Sequence, residues 1–91
     1  MTKAVQDVVH ISSAVIRAWP DRVASVTDAI ERMADVDVFH VENGKIVIVL
    51  EGPTSGAVGS RLAEIALIDG VVSANLVYDQ VEPLSSLGEL P

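Results

Sequence analysis

The sequence predicts an α+β domain in which a four-stranded antiparallel sheet, in the order 4-1-3-2, carries two helices on one face. The first observation behind this prediction is a strand–helix–strand pattern that occurs twice in succession. The second is the Asn43-Gly44 dipeptide between the two copies, which favours a two-residue hairpin because both residues readily take positive φ. Two such halves joined by a hairpin give the ferredoxin-like β-α-β-β-α-β plan. That plan leaves one sheet face uncovered, which is typical of a binding protein.

Each predicted element follows from hydrophobic periodicity and its flanking residues. In the first helix Val23, Val26, Ile30 and Met33 are spaced three, four and three apart, which forms one helical stripe. The predicted elements are, in chain order, a strand over Val9–Arg17, a helix over Asp21–Met33, strands over Val36–Val41 and Ile46–Leu50, a helix over Gly56–Ile68 and a strand over Val71–Tyr78.

The chain is expected to divide into a folded domain with two short flanking segments. Residues 1–7 form a polar lead, and residues 8–80 form the ferredoxin-like domain. Residues 81–91 have no hydrophobic period and contain two prolines and a glycine, so we predict a flexible C-terminal tail.

Composition and charge exclude several functions. The net charge of −7 argues against nucleic acid as a partner, because phosphate binding relies on clustered Lys and Arg, and it suits a cationic partner instead. Cysteine is absent, which excludes disulfides and thiolate metal sites. No apolar stretch approaches the roughly 20 residues that span a bilayer, and the N-terminus lacks a secretory signal. We therefore expect a cytoplasmic protein without stable membrane association.

The uncovered sheet face is the candidate binding surface, with valines and small residues at its centre and carboxylates towards its edges. We expect the opposite residues of the strands, including Phe39, Val41 and Tyr78 and, on the first strand, Ile11, Ser13 and Val15, to lie under the helices. The residues predicted on the uncovered face are His10, Ser12, Ala14, Ile16, Val38, His40, Glu42, Val47, Val49, Glu51, Ser73, Asn75, Val77 and Asp79. Such a surface suits an amphipathic helix with basic residues at one end, or a weak homodimer that pairs two open faces.

No constellation of catalytic or metal-ligating residues is found. His10 and His40 are the only histidines, and neither has further ligands at metal-site spacing. Ser12 and Ser13 lie inside a predicted strand, not on a nucleophile elbow. We expect no enzymatic activity, no metal and no bound cofactor.

Two segments of the sequence, one at each end of the predicted domain, carry a resemblance to a known protein family. The first is His10-Ile-Ser-Ser-Ala-Val-Ile-Arg-Ala18, followed by the helix start at Pro20-Asp21-Arg22-Val23. The second is Gly70-Val-Val-Ser-Ala-Asn-Leu-Val-Tyr-Asp-Gln-Val-Glu82. Both segments resemble the NapD family, the cytoplasmic assembly chaperones of periplasmic nitrate reductase, and the similarity spans roughly residues 9–83.

This resemblance implies a specific partner and mode of action. A NapD-like protein would bind the twin-arginine signal peptide of the molybdenum-containing nitrate reductase subunit as a helix on the uncovered face. Binding would delay export until the molybdenum cofactor and iron–sulfur cluster are installed, while the chaperone itself holds no cofactor. The alternative is a small-molecule-sensing regulatory domain of the same fold, which would dimerise and respond to an amino acid or similar ligand.

Overall fold

The predicted fold and strand order are confirmed by the structure, a computed structural model that describes residues 8–83. Four strands form one antiparallel sheet in the order β2-β3-β1-β4, which is the predicted order read from the other edge. The elements are β1 (Val8–Ala18), a 3₁₀ turn (Pro20–Arg22), α1 (Val23–Glu31), β2 (Val36–Glu42), β3 (Lys45–Gly52), α2 (Ser55–Ala66) and β4 (Val71–Pro83).

Local sequence explains how these elements are joined. Asn43 and Gly44 have φ angles of 52° and 79°, the conformation predicted for the two-residue hairpin between β2 and β3. Thr54 caps α2 by accepting a hydrogen bond from the Ala57 N–H at 3.0 Å. Gly70 has a φ of 102°, and a Cβ there would lie 2.6 Å from the Cβ of Arg22. Only glycine therefore lets the start of β4 approach the first helical segment so closely.

The core lies between the sheet and the two helices. Helix α1 packs over β2 and β3, and α2 packs over β4, β1 and β3. The helices contribute Val26, Ile30, Val58 and Ile65, all of them buried. The strands contribute the buried side chains of Ala14, Ile16, Ala18, Val36, Ile46, Ile48 and Leu50. Aliphatic side chains therefore build this core.

The predicted orientation of β1 is wrong. His10, Ser12, Ala14 and Ile16 were expected on the uncovered face, but they lie on the helix side. The reason is the register with β3, in which Ala14 pairs with Ile48 and Ile16 with Ile46, because directly paired residues share a face. The residues expected under the helices, Ile11, Ser13 and Val15, consequently lie on the uncovered face.

Bulges in both edge strands overturn further face predictions. In β2 the extra residue is Phe39, which is 76% exposed, while Val38 pairs with Ile48 and packs against the core. Phe39 was expected in the core and Val38 on the uncovered face, so both predictions are wrong. A bulge places two residues of one strand opposite one residue of its neighbour, which reverses the alternation beyond it.

In β4 the extra residues are Val72 and Val77. Beyond Val77 the alternation is reversed, so Tyr78 pairs with Ser13 on the uncovered face and Asp79 pairs with Ser12 on the helix side. Tyr78 was expected under the helices and Asp79 on the uncovered face, so both predictions are wrong. Val72 and Val77 are exposed at the bulges and do not follow the alternation of the strand.

One polar contact lies at the border of the core, between β1 and β4. The Ser12 side chain is fully buried, and its hydroxyl donates a hydrogen bond of 2.6 Å to the carboxylate of Asp79. Asp79 lies on an exposed edge strand, so the carboxylate retains access to water while it satisfies the buried hydroxyl.

The folded domain extends beyond its predicted C-terminal boundary at residue 80. Strand β4 continues to Pro83, where it pairs with Val8, so residues 81–83 belong to the sheet and not to the predicted tail. The remainder of the predicted tail and the polar lead lie outside the described residues. Within residues 8–83, neither helix has the length and apolar character needed to cross a bilayer.

The buried hydroxyl of Ser12 makes Asp79 a structural residue. We expect Asp79→Ala to lower the free energy of unfolding by about 1–3 kcal/mol, because it leaves a buried donor without its acceptor. Ser12→Ala in the same chain should recover part of that loss, since both partners are then gone. Urea denaturation of the two variants measures the effect, with Asp37→Ala on the uncovered face as the matched control. Equal stability of the Asp79 and Asp37 variants would contradict this role.

Adjacent residues of β3 should respond oppositely to a charge. Ile48 is fully buried, so Ile48→Arg places an unpaired cation in the core and should prevent folding. Val49 lies on the uncovered face, and Val49→Arg should leave a folded domain with a nearly unchanged melting temperature. Circular dichroism melts of both variants test the face assignment, which is inverted if Val49→Arg unfolds and Ile48→Arg does not.

Candidate functional site

The sheet face away from the helices, here called the open face, is the candidate site. Strand pairing arranges its side chains in rows that cross the strands. From one end to the other, the rows are Glu42, Lys45, Arg17, Ser73; then His40, Val47, Val15, Asn75; then Asp37, Val49, Ser13, Tyr78; then Glu51, Ile11, Gln80; and finally Val9, Glu82. Two residues of strand separate successive rows, so the face is about 27 Å long at roughly 3.4 Å per residue.

The centre of the open face is apolar. Val15 and Val47 lie side by side in one row, and Val49 and Ile11 follow in the next two rows. All four side chains are half-buried, because they lie on the two central strands and have neighbours on both sides. They form a continuous apolar strip that no helix of residues 8–83 covers.

The two ends of the open face carry opposite charge. Arg17 and Lys45 are register partners at the hairpin end, where they face each other across β1 and β3. Asp37 lies in the middle row, Glu51 and Glu82 lie in the two rows at the other end, and the rows that contain these three acids hold no Lys or Arg. The open face is therefore polarised along its length, with a basic hairpin end and an acidic far end.

One carboxylate at the hairpin end is already paired. The Nε2 atom of His40 lies 2.9 Å from Oε1 of Glu42, and Lys45 is the register partner of Glu42. The hydrogen bond to His40 holds the pKa of Glu42 below its ordinary value, with the charge of His40 as the next contribution. The carboxylate of Glu42 therefore already has partners on the open face, Lys45 in its own row and His40 in the next row.

Strand β4 supplies a polar and aromatic border. The Tyr78 hydroxyl donates a hydrogen bond of 3.0 Å to Oε1 of Gln80, and 57% of Tyr78 is exposed. Tyrosine combines a large apolar ring with a polar tip, which makes it a common contact residue at interfaces.

The open face holds only part of the predicted set of site residues. His40, Glu42, Val47, Val49, Glu51, Ser73 and Asn75 lie on it as predicted. His10, Ser12, Ala14, Ile16, Val38 and Asp79 lie on the helix side, and Val77 lies at the bulge of β4. Of the three carboxylates in the predicted set, Asp79 lies on the helix side and Glu42 is paired, so Glu51 is the one that remains on the open face without a partner among residues 8–83.

Several residues of the open face were missed from the sequence. They are Val9, Ile11, Ser13, Val15, Arg17, Asp37, Tyr78, Gln80 and Glu82. For β1 a signal was present, because Arg17 shares a face with Val15 and Ser13, and a charged residue at the end of an alternating strand indicates the solvent side. For β4 no residue type indicated the bulge at Val77.

The described residues contain no metal centre: among residues 8–83 no cluster of three or more His, Cys, Asp or Glu side chains is arranged to hold an ion. The chemistry of the open face is that of a contact surface, with an apolar strip between two charged ends.

Comparisons with known proteins agree with this architecture. A model of the NapD protein family matches residues 9–83. Chaperone NapD of Paracoccus pantotrophus is 40% identical over 74 residues, which cover 81% of this chain and 66% of that relative. The chain therefore spans just under two-thirds of the length of this curated relative.

A solved structure supports the fold. The solution structure of the E. coli Tat proofreading chaperone protein NapD matches with a TM-score of 0.73 and 20% sequence identity, covering 79% of this chain and 78% of that one. At this identity the likeness concerns the fold alone. The family model, in contrast, matches most of the sequence, from the first residues of β1 to the end of β4. On that ground the chain belongs to the NapD family.

Proposed function

We propose that this protein is a cytoplasmic chaperone that binds the twin-arginine signal peptide of the catalytic subunit of periplasmic nitrate reductase. Bound peptide would be withheld from export until the molybdenum cofactor and the iron–sulfur cluster have been inserted into that subunit. The protein would act by binding alone, without catalysis and without a cofactor of its own. Membership of the NapD family supports this role over that of a small-molecule-sensing regulatory domain.

The observation that carries the proposal is the open face itself. A helix is about 10 Å wide and rises about 1.5 Å per residue, so the 27 Å length of the face matches about 18 residues of helix. Signal peptides have a basic segment followed by an apolar segment. The apolar strip along Val15, Val47, Val49 and Ile11 suits the apolar segment, and the acidic end suits the basic segment.

A direct titration tests the proposal. The twin-arginine leader of the nitrate reductase catalytic subunit, added as a synthetic peptide, should bind saturably with one peptide per protein chain. A scrambled peptide of the same composition should bind much more weakly. Light scattering during the titration reports the oligomeric state and detects a homodimer that pairs two open faces. No saturable binding of the leader would overturn the proposal.

Val49→Arg should abolish most of the binding without unfolding the protein. The substitution places a bulky cation in the middle of the apolar strip, where it blocks an incoming helix and repels its basic segment. We expect the affinity for the leader peptide to fall at least about tenfold, which corresponds to about 1.4 kcal/mol. Calorimetric titration of the folded variant measures the change.

Ala63→Arg is the matched control for this variant. Ala63 is exposed on α2, on the opposite side of the sheet, so the variant adds the same charge away from the open face. Its affinity should equal that of the unaltered protein. Equal losses in the two variants would mean that added positive charge, and not the open face, governs binding.

A further inference from the structure

A cleft at the edge of the sheet, next to the acidic end of the open face, has the chemistry of a site for one cationic side chain. The cleft has a volume of about 400 Å³ and is lined by apolar groups of Val8, Val9, Ala34 and Pro53, together with Asp35 and Glu51. It exists because β2 begins at Val36, opposite Leu50, while β3 continues for two more residues. The edge of the sheet is therefore notched at this corner.

The two carboxylates of the cleft are held in a fixed relation but differ in their partners. The Glu51 N–H donates a hydrogen bond of 3.0 Å to the carbonyl oxygen of Asp35, which joins the two backbones. Asp35 accepts a hydrogen bond of 3.0 Å from Nε of Arg61, a side chain that also pairs with Glu64. Oδ1 of Asp35 is buried and accepts no hydrogen bond from residues 8–83. Glu51 is exposed and has no ion pair with any of residues 8–83. Among the described residues, the cleft therefore places the unpaired carboxylate of Glu51 beside apolar walls.

This combination fits the side chain of arginine. Its aliphatic stem can lie along apolar surface while its charged head remains at the rim. The planar guanidinium can then donate two parallel hydrogen bonds to one carboxylate, an arrangement stronger than a neutral hydrogen bond.

The charges of the open face also select a direction for a bound helix. A helix carries partial positive charge at its amino end and partial negative charge at its carboxyl end. In a signal peptide the basic segment is at the amino end as well. Both contributions favour the amino end at Glu51 and Glu82 and the carboxyl end at Arg17 and Lys45.

We propose that the signal helix lies along the open face with its amino end at the acidic end, where one of its arginines occupies the cleft beside Glu51. This inference rests on the proposed function and adds to it the orientation of the peptide and the residue that reads one arginine. Glu51 is thereby assigned a specific partner, while Glu82 and Asp37 supply the surrounding negative potential.

Spin labels on the leader peptide test the orientation in the unaltered protein. A nitroxide at the amino end of the peptide should broaden the amide signals of Gly52 and Glu82 and leave those of Gly44 and Ser73 sharp. A nitroxide at the carboxyl end should give the reverse pattern. If the amino-terminal label broadens Gly44 and Ser73 instead, the orientation is wrong although the proposed function stands. If no peptide binds, the proposed function fails and the orientation with it.

Glu51→Gln tests the occupant of the cleft. We expect affinity for the leader peptide to fall about two- to fivefold at low salt, as for an exposed charge pair. Replacing one of the two arginines of the peptide by glutamine should then cost less in this variant than in the unaltered protein.

Glu31→Gln is the matched control for the charge change, because Glu31 is exposed on α1 and lies outside the open face. It should bind the leader peptide like the unaltered protein. The assignment of the cleft is wrong if Glu51→Gln behaves like Glu31→Gln, or if neither arginine of the peptide is coupled to Glu51.

Discussion

The pairing of the two central strands determines which surface the protein presents. Because Ala14 lies beside Ile48 and Ile16 beside Ile46, the alternation of β1 and β3 is fixed for both faces at once. The helix side receives the small side chains of Ser12, Ala14 and Ala18 next to the large aliphatics of β3, which leaves room for two helices to pack closely. On the open face, Ile11 and Val15 are paired with polar residues and with one valine of the neighbouring strands. A shift of this register by one residue would bury Arg17 and expose the core side of β1.

The edge strands are irregular where the central strands are regular, and this irregularity has two effects. Bulges at Phe39 and Val77 twist an edge and interrupt its row of unpaired backbone groups, which discourages pairing with another sheet. They also redirect side chains: Tyr78 is turned to the open face and Asp79 to the helix side, where it accepts the hydrogen bond of Ser12. The same extra residue in β4 therefore places an aromatic side chain on the open face and an acceptor beside a buried hydroxyl.

The fold was predictable from the sequence because its signals are local. The Asn43-Gly44 turn and the alternation of Ile46, Ile48 and Leu50 settle the hairpin and the faces of β3 without reference to the rest of the chain. The face of β1 required one more step, since Arg17 and Ala18 distinguish the two sides at the end of the strand. The bulges could not be predicted, because Phe39, Val72 and Val77 are ordinary strand residues and an extra residue is decided by packing on both sides of a pair. Of the fourteen predicted site residues, the four on β1 were assigned to the wrong face because that step was not taken, and Val38, Val77 and Asp79 were misplaced because of the bulges.

The apolar strip and the charged ends of the open face are suited to different tasks. Burial of apolar surface is favourable and without direction, so the strip along Val15, Val47 and Val49 would hold an apolar helix in either orientation. Exposed charges contribute little free energy each, but they steer the approach of a charged partner and disfavour the wrong orientation. Affinity would therefore come from the centre of the face, while orientation and discrimination would come from its ends. Under the proposed function this division would suit a chaperone that releases its client for export, because the charged contacts would select a basic leader without adding much to the strength with which it is held.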